Sequence, residues 1–245
     1  MIALEFVSKS FFGRSALEEV NLKIPRGCLY GLIGPGAAGK TLVLKAISGL
    51  MRPDSGRVVC DGQDVGALSP IELEAYRRKI GMQFQNNALF DFMTVAENIA
   101  FPLRRLFRLS EAEIKAKVAE RLERVQLAGF EERSPSGLSG GQKRRIGIAR
   151  ATVTTPPIVL YDEPAAGLDP VTSLRIFELL RAEQRAAGST VVMVSSDVDR
   201  LLAVTDRVGM MHEGRIVFDG TTTEARESTN PLIRQFLRGA LNGPL

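Results

Sequence analysis

Gly34-Pro35-Gly36-Ala37-Ala38-Gly39-Lys40-Thr41 is the stretch on which the reading of this chain turns. It fits G-x-x-x-x-G-K-[ST] and lies between an apolar run, Cys28 to Ile33, and an amphipathic segment, Leu42 to Leu50, an order that predicts strand, loop and helix. Glycines there let backbone N–H groups turn inward around phosphate oxygens, with the positive end of the following helix behind them. Lys40 is then placed to reach the β- and γ-phosphates, and the Thr41 hydroxyl to ligate Mg²⁺. A glycine-rich turn that binds nothing is the competing reading, and Lys40-Thr41 with these flanks argues against it. A phosphate loop alone predicts only a nucleoside-triphosphate binder.

The surrounding chain narrows this. Its 245 residues, 44% of them hydrophobic, suffice for one α/β domain with an insertion. The net charge of +4 is a small excess of 32 basic over 28 acidic residues, and no basic tract with interleaved aromatics argues for nucleic acid. Cys28 and Cys60 fall in predicted strands and read as buried, reduced thiols, which suits a cytosolic compartment. Met1 to Glu5 lack the basic and apolar regions of a leader, and no uncharged apolar run approaches spanning length. The chain is therefore expected to be soluble by itself, with any membrane role exerted through a partner.

Alternation predicts strands over Ile2–Val7 and Leu17–Ile24, joined by a turn at Ser10-Phe11-Phe12-Gly13. Phe11 is expected in the core; Phe12, beside Gly13, is free to lie flat on a purine. After the turn Pro53–Gly56 come a strand over Arg57–Asp61, a helix opened by Ser69-Pro70, and a strand over Ile80–Phe84. The last ends at Gln85-Asn86-Asn87. Ligands meet a doubly wound sheet at the carboxyl ends of its strands, so Gln85 is placed to touch the nucleotide; a surface amide fits the same residues equally well. Helical spacing then takes over in Thr94–Ala100, Ser110–Ala128 and Ser139–Thr152, an inserted helical segment. Within it Leu138-Ser139-Gly140-Gly141-Gln142 offers an N-cap serine and exposed helix N–H groups, a second anion site or merely a capped turn.

Ile158 to Glu163 reads as an apolar strand ending in two carboxylates, which are costly there unless they serve a cation or a proton transfer. Asp162 suits the Mg²⁺ shell and Glu163 the attacking water. A loop through Gly167 and Asp169-Pro170 precedes a helix over Val171–Ala187, and a buried strand, Thr190–Val194, ends in Ser195-Ser196-Asp197. A closing hairpin, Arg207–Met211 with Arg215–Asp219, places His212 in its loop. Along Asn230–Leu241, residues Leu232, Ile233, Phe236, Leu237 and Leu241 share one helical face, directed at the chain's own core or at a second subunit.

In this order the Walker A loop at 34–41, Gln85, the Leu-Ser-Gly-Gly-Gln signature at 138–142, the Walker B strand ending in Asp162-Glu163 and the loop Gly167–Pro170 resemble an ATP-binding cassette (ABC) ATPase over essentially the whole chain. The resemblance implies an α/β P-loop NTPase core with an N-terminal antiparallel β part and an inserted helical subdomain. The single domain 1–245 would divide into a core (1–86 and 151–220), a helical signature subdomain (87–150) and a C-terminal helical tail (221–245). ATP and Mg²⁺ are the implied cofactors. ATP would meet Phe12 at the adenine, then Gly34, Pro35, Gly36, Ala37, Ala38, Gly39, Lys40, Thr41 and Leu42. Ser139, Gly140, Gly141 and Gln142 of a second copy would close on the γ-phosphate in a head-to-tail homodimer, with Asp169 at the seam. Thr41, Gln85 and Asp162 would serve the metal, and Glu163, Lys40, Gln85 and Ser196 the hydrolysis.

A narrower likeness lies in Asn87 to Asn98, Phe101-Pro102-Leu103-Arg104, Gln235 to Gly239 and Gly243-Pro244, which resemble the ATPase subunit of MCE-associated, Mla-type lipid transporters. That implies a membrane permease partner, an MCE-domain protein in the complex, phospholipid movement between bacterial inner and outer membranes, and a place on the cytoplasmic face of the inner membrane. One position departs from the pattern: the family usually has histidine where this chain has Ser196. Serine cannot become a cation near neutral pH, so slower hydrolysis is expected. A nucleotide-gated assembly or regulatory subunit with slow turnover is the alternative that Ser196 favours, and the ATPase of another ABC importer is a further one. The length excludes the long insertions of soluble ABC proteins of DNA repair or translation.

Overall fold

In the computed structural model, which describes residues 1–245, the loop at 34–41 joins the third strand of the chain to its first helix. The strands are β1 Ile2–Phe11, β2 Arg14–Ile24, β3 Leu29–Ile33, β4 Ser55–Cys60, β5 Gln63–Asp64, β6 Ile80–Gln83, β7 Ile158–Asp162, β8 Thr190–Val194, β9 Arg207–His212 and β10 Arg215–Thr221. The helices are α1 Lys40–Ile47, α2 Pro70–Arg77, α3 Val95–Leu106, α4 Glu111–Arg124, α5 Gly140–Thr152, α6 Pro170–Ala187, α7 Val198–Val204, α8 Thr222–Glu227 and α9 Pro231–Arg238. No helix is long and apolar enough to cross a membrane.

An antiparallel sheet, ordered β2-β1-β4-β5, and a six-stranded sheet, ordered β10-β9-β3-β8-β7-β6, make a mixed α/β fold. In the larger sheet only β10 runs antiparallel to its neighbour. β3, β7 and β8 are buried at every position, the pattern of a parallel sheet covered on both faces. Their side chains divide by parity. Leu29, Val159, Tyr161, Val191 and Met193 enter a core shared with α3, α4, α5 and α6, whereas Tyr30, Leu32, Leu160 and Val192 enter a second core against α1 and the antiparallel sheet. Polar sequence sets the helix starts: Ser69/Glu72, Thr94/Glu97, Ser110/Glu113, Ser139/Gln142 and Thr221/Glu224 each form a reciprocal capping box.

Several expectations are corrected. Phe11 is 42% exposed because the β1–β2 hairpin ends beyond the core that covers the rest of β1. The helix expected to end at Ala100 continues through Pro102 to Leu106, and the one expected to reach Ala128 stops at Arg124, before Gln126 turns left-handed. β7 ends at Asp162, since Glu163 has φ +50°. Cys28 precedes β3, although both thiols are free and buried as expected. His212 closes β9 instead of lying in the loop. In the tail Leu232, Ile233, Phe236 and Leu237 pack on the chain's own core, but Leu241 lies past α9 and is exposed.

A buried ion pair joins the helical segment to the sheet's own helices. Arg121 on α4 donates to Glu183 on α6, and both side chains are at least nine-tenths covered. Removing one partner strands the other charge in the interior. Glu183→Leu is expected to cost about 3–5 kcal/mol in chemical denaturation, and Arg121→Met in the same chain to recover most of it.

Candidate active site

The carboxyl ends of β3, β7 and β8 meet at one edge of the sheet, and the loop after β3 crosses that edge. Gly34 has φ +140°, and a Cβ there would lie 2.1 Å from the Met211 carbonyl oxygen. Gly39 has φ +99°, and its Cβ would come within 2.8 Å of the Ala16 carbonyl oxygen. Only glycine fits either place. The backbone N–H groups of Gly36, Ala37, Gly39, Lys40 and Thr41 find no acceptor in the protein, leaving a nest of donors before α1. Ala38 and Leu42 do not join it, since their N–H groups bond Pro35 and Gly39. The Lys40 ammonium lies inside, donating to the carbonyls of Gly34 at 2.8 Å and Pro35 at 2.7 Å. Burial lowers its pKa, against the opposing pull of Glu163 and Asp162.

Asp162 ends β7 with almost no exposure, and its one side-chain donor is the Thr41 hydroxyl at 3.1 Å. Burial raises its pKa, so the carboxyl holds its proton more tightly than in water. A hard divalent cation fits this pair: it takes oxygen ligands, and it would compensate a carboxylate that one hydroxyl leaves under-solvated. Next to it the Glu163 carboxylate takes the backbone N–H and the hydroxyl of Ser196 on the same oxygen, Oε2, each at 3.0 Å. Asp197 caps α7 and accepts from Ser173 Oγ at 3.1 Å.

Other expected site residues lie around this centre. Gln85 is exposed in the turn after β6, its carbonyl bonded to Arg144 and its carboxamide unpaired. Phe12 is fully exposed at the hairpin tip with φ +50°. Ser139 caps α5 through the Gln142 N–H, and Gly140 and Gly141 pack near Leu168 and Thr172, with no hydrogen bond to the 34–41 loop. Asp169 caps α6 through the N–H groups of Val171 and Thr172, both at 3.0 Å, and these bonds, Thr172 foremost, hold its carboxyl below the usual range. One chain therefore assembles Lys40, Thr41, Asp162, Glu163 and Ser196, while Ser139–Gln142 make no hydrogen bond to any of them.

Sequence reasoning passed over Arg144 and Arg150. Both lie on α5, both have their pKa lowered by burial, and both bond backbone carbonyls instead of acids. Their signal was present as long cations on a helix whose neighbouring positions, Ile146 to Ala149, are apolar.

The sequence profile described as "ABC transporter" matches residues 17–166. A methionine import ATP-binding protein, MetN of Caulobacter vibrioides, is 41% identical over 98% of this chain and 73% of its own length. The intermembrane phospholipid transport system ATP-binding protein MlaF of Escherichia coli K12 is 35% identical over 100% of this chain and 91% of its own. Among solved structures, a dimeric ATP-binding cassette in a post-hydrolysis state with ADP and Pi superposes with a TM-score of 0.85 at 33% identity, covering 91% of this chain and 99% of that one. With its donor nest, its half-buried lysine and its adjacent carboxylates at one sheet edge, the chain belongs to the ABC transporter family, as an ATP-binding component that hydrolyses ATP.

Proposed function

We propose that this chain is the ATPase subunit of a phospholipid transporter that works between two bacterial membranes, held at the inner membrane's cytoplasmic face by a permease. The observation that carries the reading is the likeness to MlaF, which spans the whole of this chain and 91% of that protein. The tail segments around Gln235 and Gly243 belong to the same likeness. An MCE-domain lipid carrier is the further partner this reading calls for. Methionine import is the second reading, favoured by the higher identity to MetN. Turnover in proteoliposomes with the copurified permease separates them: phospholipid should stimulate and methionine should not.

Two copies would close head-to-tail on ATP, a reading supported by the dimeric ATP-binding cassette that this chain resembles. Phe12 stacks on adenine, the free N–H groups of 36, 37 and 39–41 take the phosphates, and Lys40 exchanges its two carbonyls for phosphate oxygens. Ser139, Gly140, Gly141 and Gln142 of the second copy meet the γ-phosphate from the other side, with Asp169 at the seam. Mg²⁺, held by Thr41 and Asp162 and approached by Gln85, supplies positive charge against the phosphates when bound. Glu163 orients the attacking water and accepts its proton on Oε1, while Ser196 fixes the carboxylate through Oε2. Ser196 thus replaces a group able to become a cation with one that only donates a hydrogen bond.

The permease docks on an apolar groove of about 330 Å³ lined by Phe84, Ala88, Phe90, Phe101, Leu106 and Arg150. Phe90 is braced by Phe101 at a centroid distance of 5.0 Å, and Asn98 holds its backbone N–H and carbonyl, so the wall is preformed. Phe92 stands exposed beside it.

Steady-state assays check this chemistry. Glu163→Gln should lower turnover at least about 100-fold while leaving ATP binding, and Ser196→His should raise turnover several-fold. Wild-type turnover no higher than that of Glu163→Gln defeats the assignment. Asp162→Asn removes a carboxylate whose burial raises its pKa, a cost that is absent below the ordinary carboxylate value, grows between that value and the raised one, and is constant above it. Without Mg²⁺ it should melt above wild type at pH 7.5, with the gap closing toward pH 4, and it should hydrolyse no ATP. Phe90→Ala should weaken permease binding by about tenfold in a pull-down titration; unchanged binding removes the groove from the interface.

A further inference from the structure

Between β6 and α5 lies a chain of polar side chains that hydrolysis, as described above, does not use. Gln83 ends β6 with no exposure; its Nε2 donates to Asn87 Oδ1 at 3.3 Å, and its Oε1 has no partner. Asn87, itself buried, accepts on the same Oδ1 from Arg144 Nη1 at 3.0 Å. The Arg144 guanidinium also donates to the Gln85 carbonyl and, at 2.9 Å, to the Ala166 carbonyl in the turn that follows Glu163. Six residues further along α5, Arg150 donates to the carbonyls of Asn87 and Ala88. Three carbonyls of this loop, at 85, 87 and 88, are thereby held by one helix.

Two facts make this more than packing. Asn87 and Ala88 both have positive φ, +60° and +50°, a costly pair of left-handed residues that persists only where the surroundings impose it. The side chain at 83 is also a poor choice for burial alone, since an apolar residue between Met82 and Phe84 would fill the place without an unpaired oxygen. Its donor to Asn87 is what the glutamine supplies. The α5 backbone lies against the pair at Gly147, where a Cβ would sit in ordinary contact 3.4 Å from Gln83 Cγ and 3.5 Å from Asn87 Oδ1.

We infer that Asn87 is a positioning residue for ATP hydrolysis: pinned by Gln83 and Arg144, it fixes the Gln85 turn against α5 and against the turn behind Glu163. The inference rests on the reading of Gln85 as the residue that reaches metal and water. Since α5 begins at the Gly140-Gly141 face offered to a second copy, the latch ties the Gln85 turn of one site to the signature face of the other. Ala88 and Arg150 also line the permease groove, so an occupant there presses on the same turn.

The test uses the full chain, with turnover measured against both ATP and Mg²⁺, ATP affinity in chelator, and melting temperature. Asn87→Gly keeps the left-handed backbone and removes the acceptor; Gln83→Leu removes the donor and the unpaired oxygen. Both should lower kcat about fivefold or more and raise the Mg²⁺ concentration for half-maximal rate, with Mg²⁺-free ATP affinity unchanged. Gln83→Leu should melt no lower than wild type. Asn87→Asp, whose carboxylate still accepts from Gln83 and Arg144, should recover most of the rate. If Gln85→Ala is impaired while Asn87→Gly and Gln83→Leu match wild type in rate and Mg²⁺ dependence, the latch is overturned. A melting point that falls in step with kcat in Gln83→Leu also overturns it, as packing alone. Wild-type turnover in Gln85→Ala overturns instead the reading of Gln85.

Discussion

A parallel sheet covered on both faces leaves only its edges for polar chemistry, and that constraint organises this molecule. β3, β7 and β8 have no exposed position, so every charge they bring must wait until the strand ends. All three end at the same edge, where β3 delivers the 34–41 loop, β7 delivers Asp162 and Glu163, and β8 delivers Ser196. Alternate side chains go to two different cores, which locks each strand against slipping by one residue.

The polar groups at that edge are short of partners. Lys40 is satisfied only by carbonyls of its own loop, Asp162 has a single hydroxyl, and five backbone N–H groups have nothing. Asp162 is buried in that state, which raises the free energy of the ligand-free protein, whereas the N–H groups of the loop lie on half-buried or exposed residues, open to an anionic ligand. Glu163 differs, because Ser196 already holds one of its oxygens. The carboxylate is oriented before anything binds, as the proposed role of Glu163 in proton transfer from water requires.

Arginines join the helical segment to the rest of the chain. Arg121 reaches α6 through a buried carboxylate, whereas Arg144 and Arg150 reach the 85–88 turn and Ala166 through carbonyls. A guanidinium has five donors in a rigid fork, so one side chain can bridge two loops. α5 therefore carries the Ser139 cap at one end and the loop contacts along its body, on one continuous helix.

Local sequence determined much of this. The strand-loop-helix at 34–41, the capping boxes at Ser110 and Ser139, the buried run Thr190–Val194 and the carboxylates at 162 and 163 all follow from interactions within a few residues, and each is legible in spacing alone. Tertiary structure decided what lies further apart. Phe11 has the same local pattern as a core residue and is exposed because the hairpin outruns the sheet beneath it. The pairing of Glu163 with Ser196 spans 33 residues, and that of Arg144 with Asn87 spans 57, distances over which neither partner leaves a mark on the pattern around the other. Only the burial of the central sheet, which brings β6, β7 and β8 together in register with α5 across them, makes those residues neighbours.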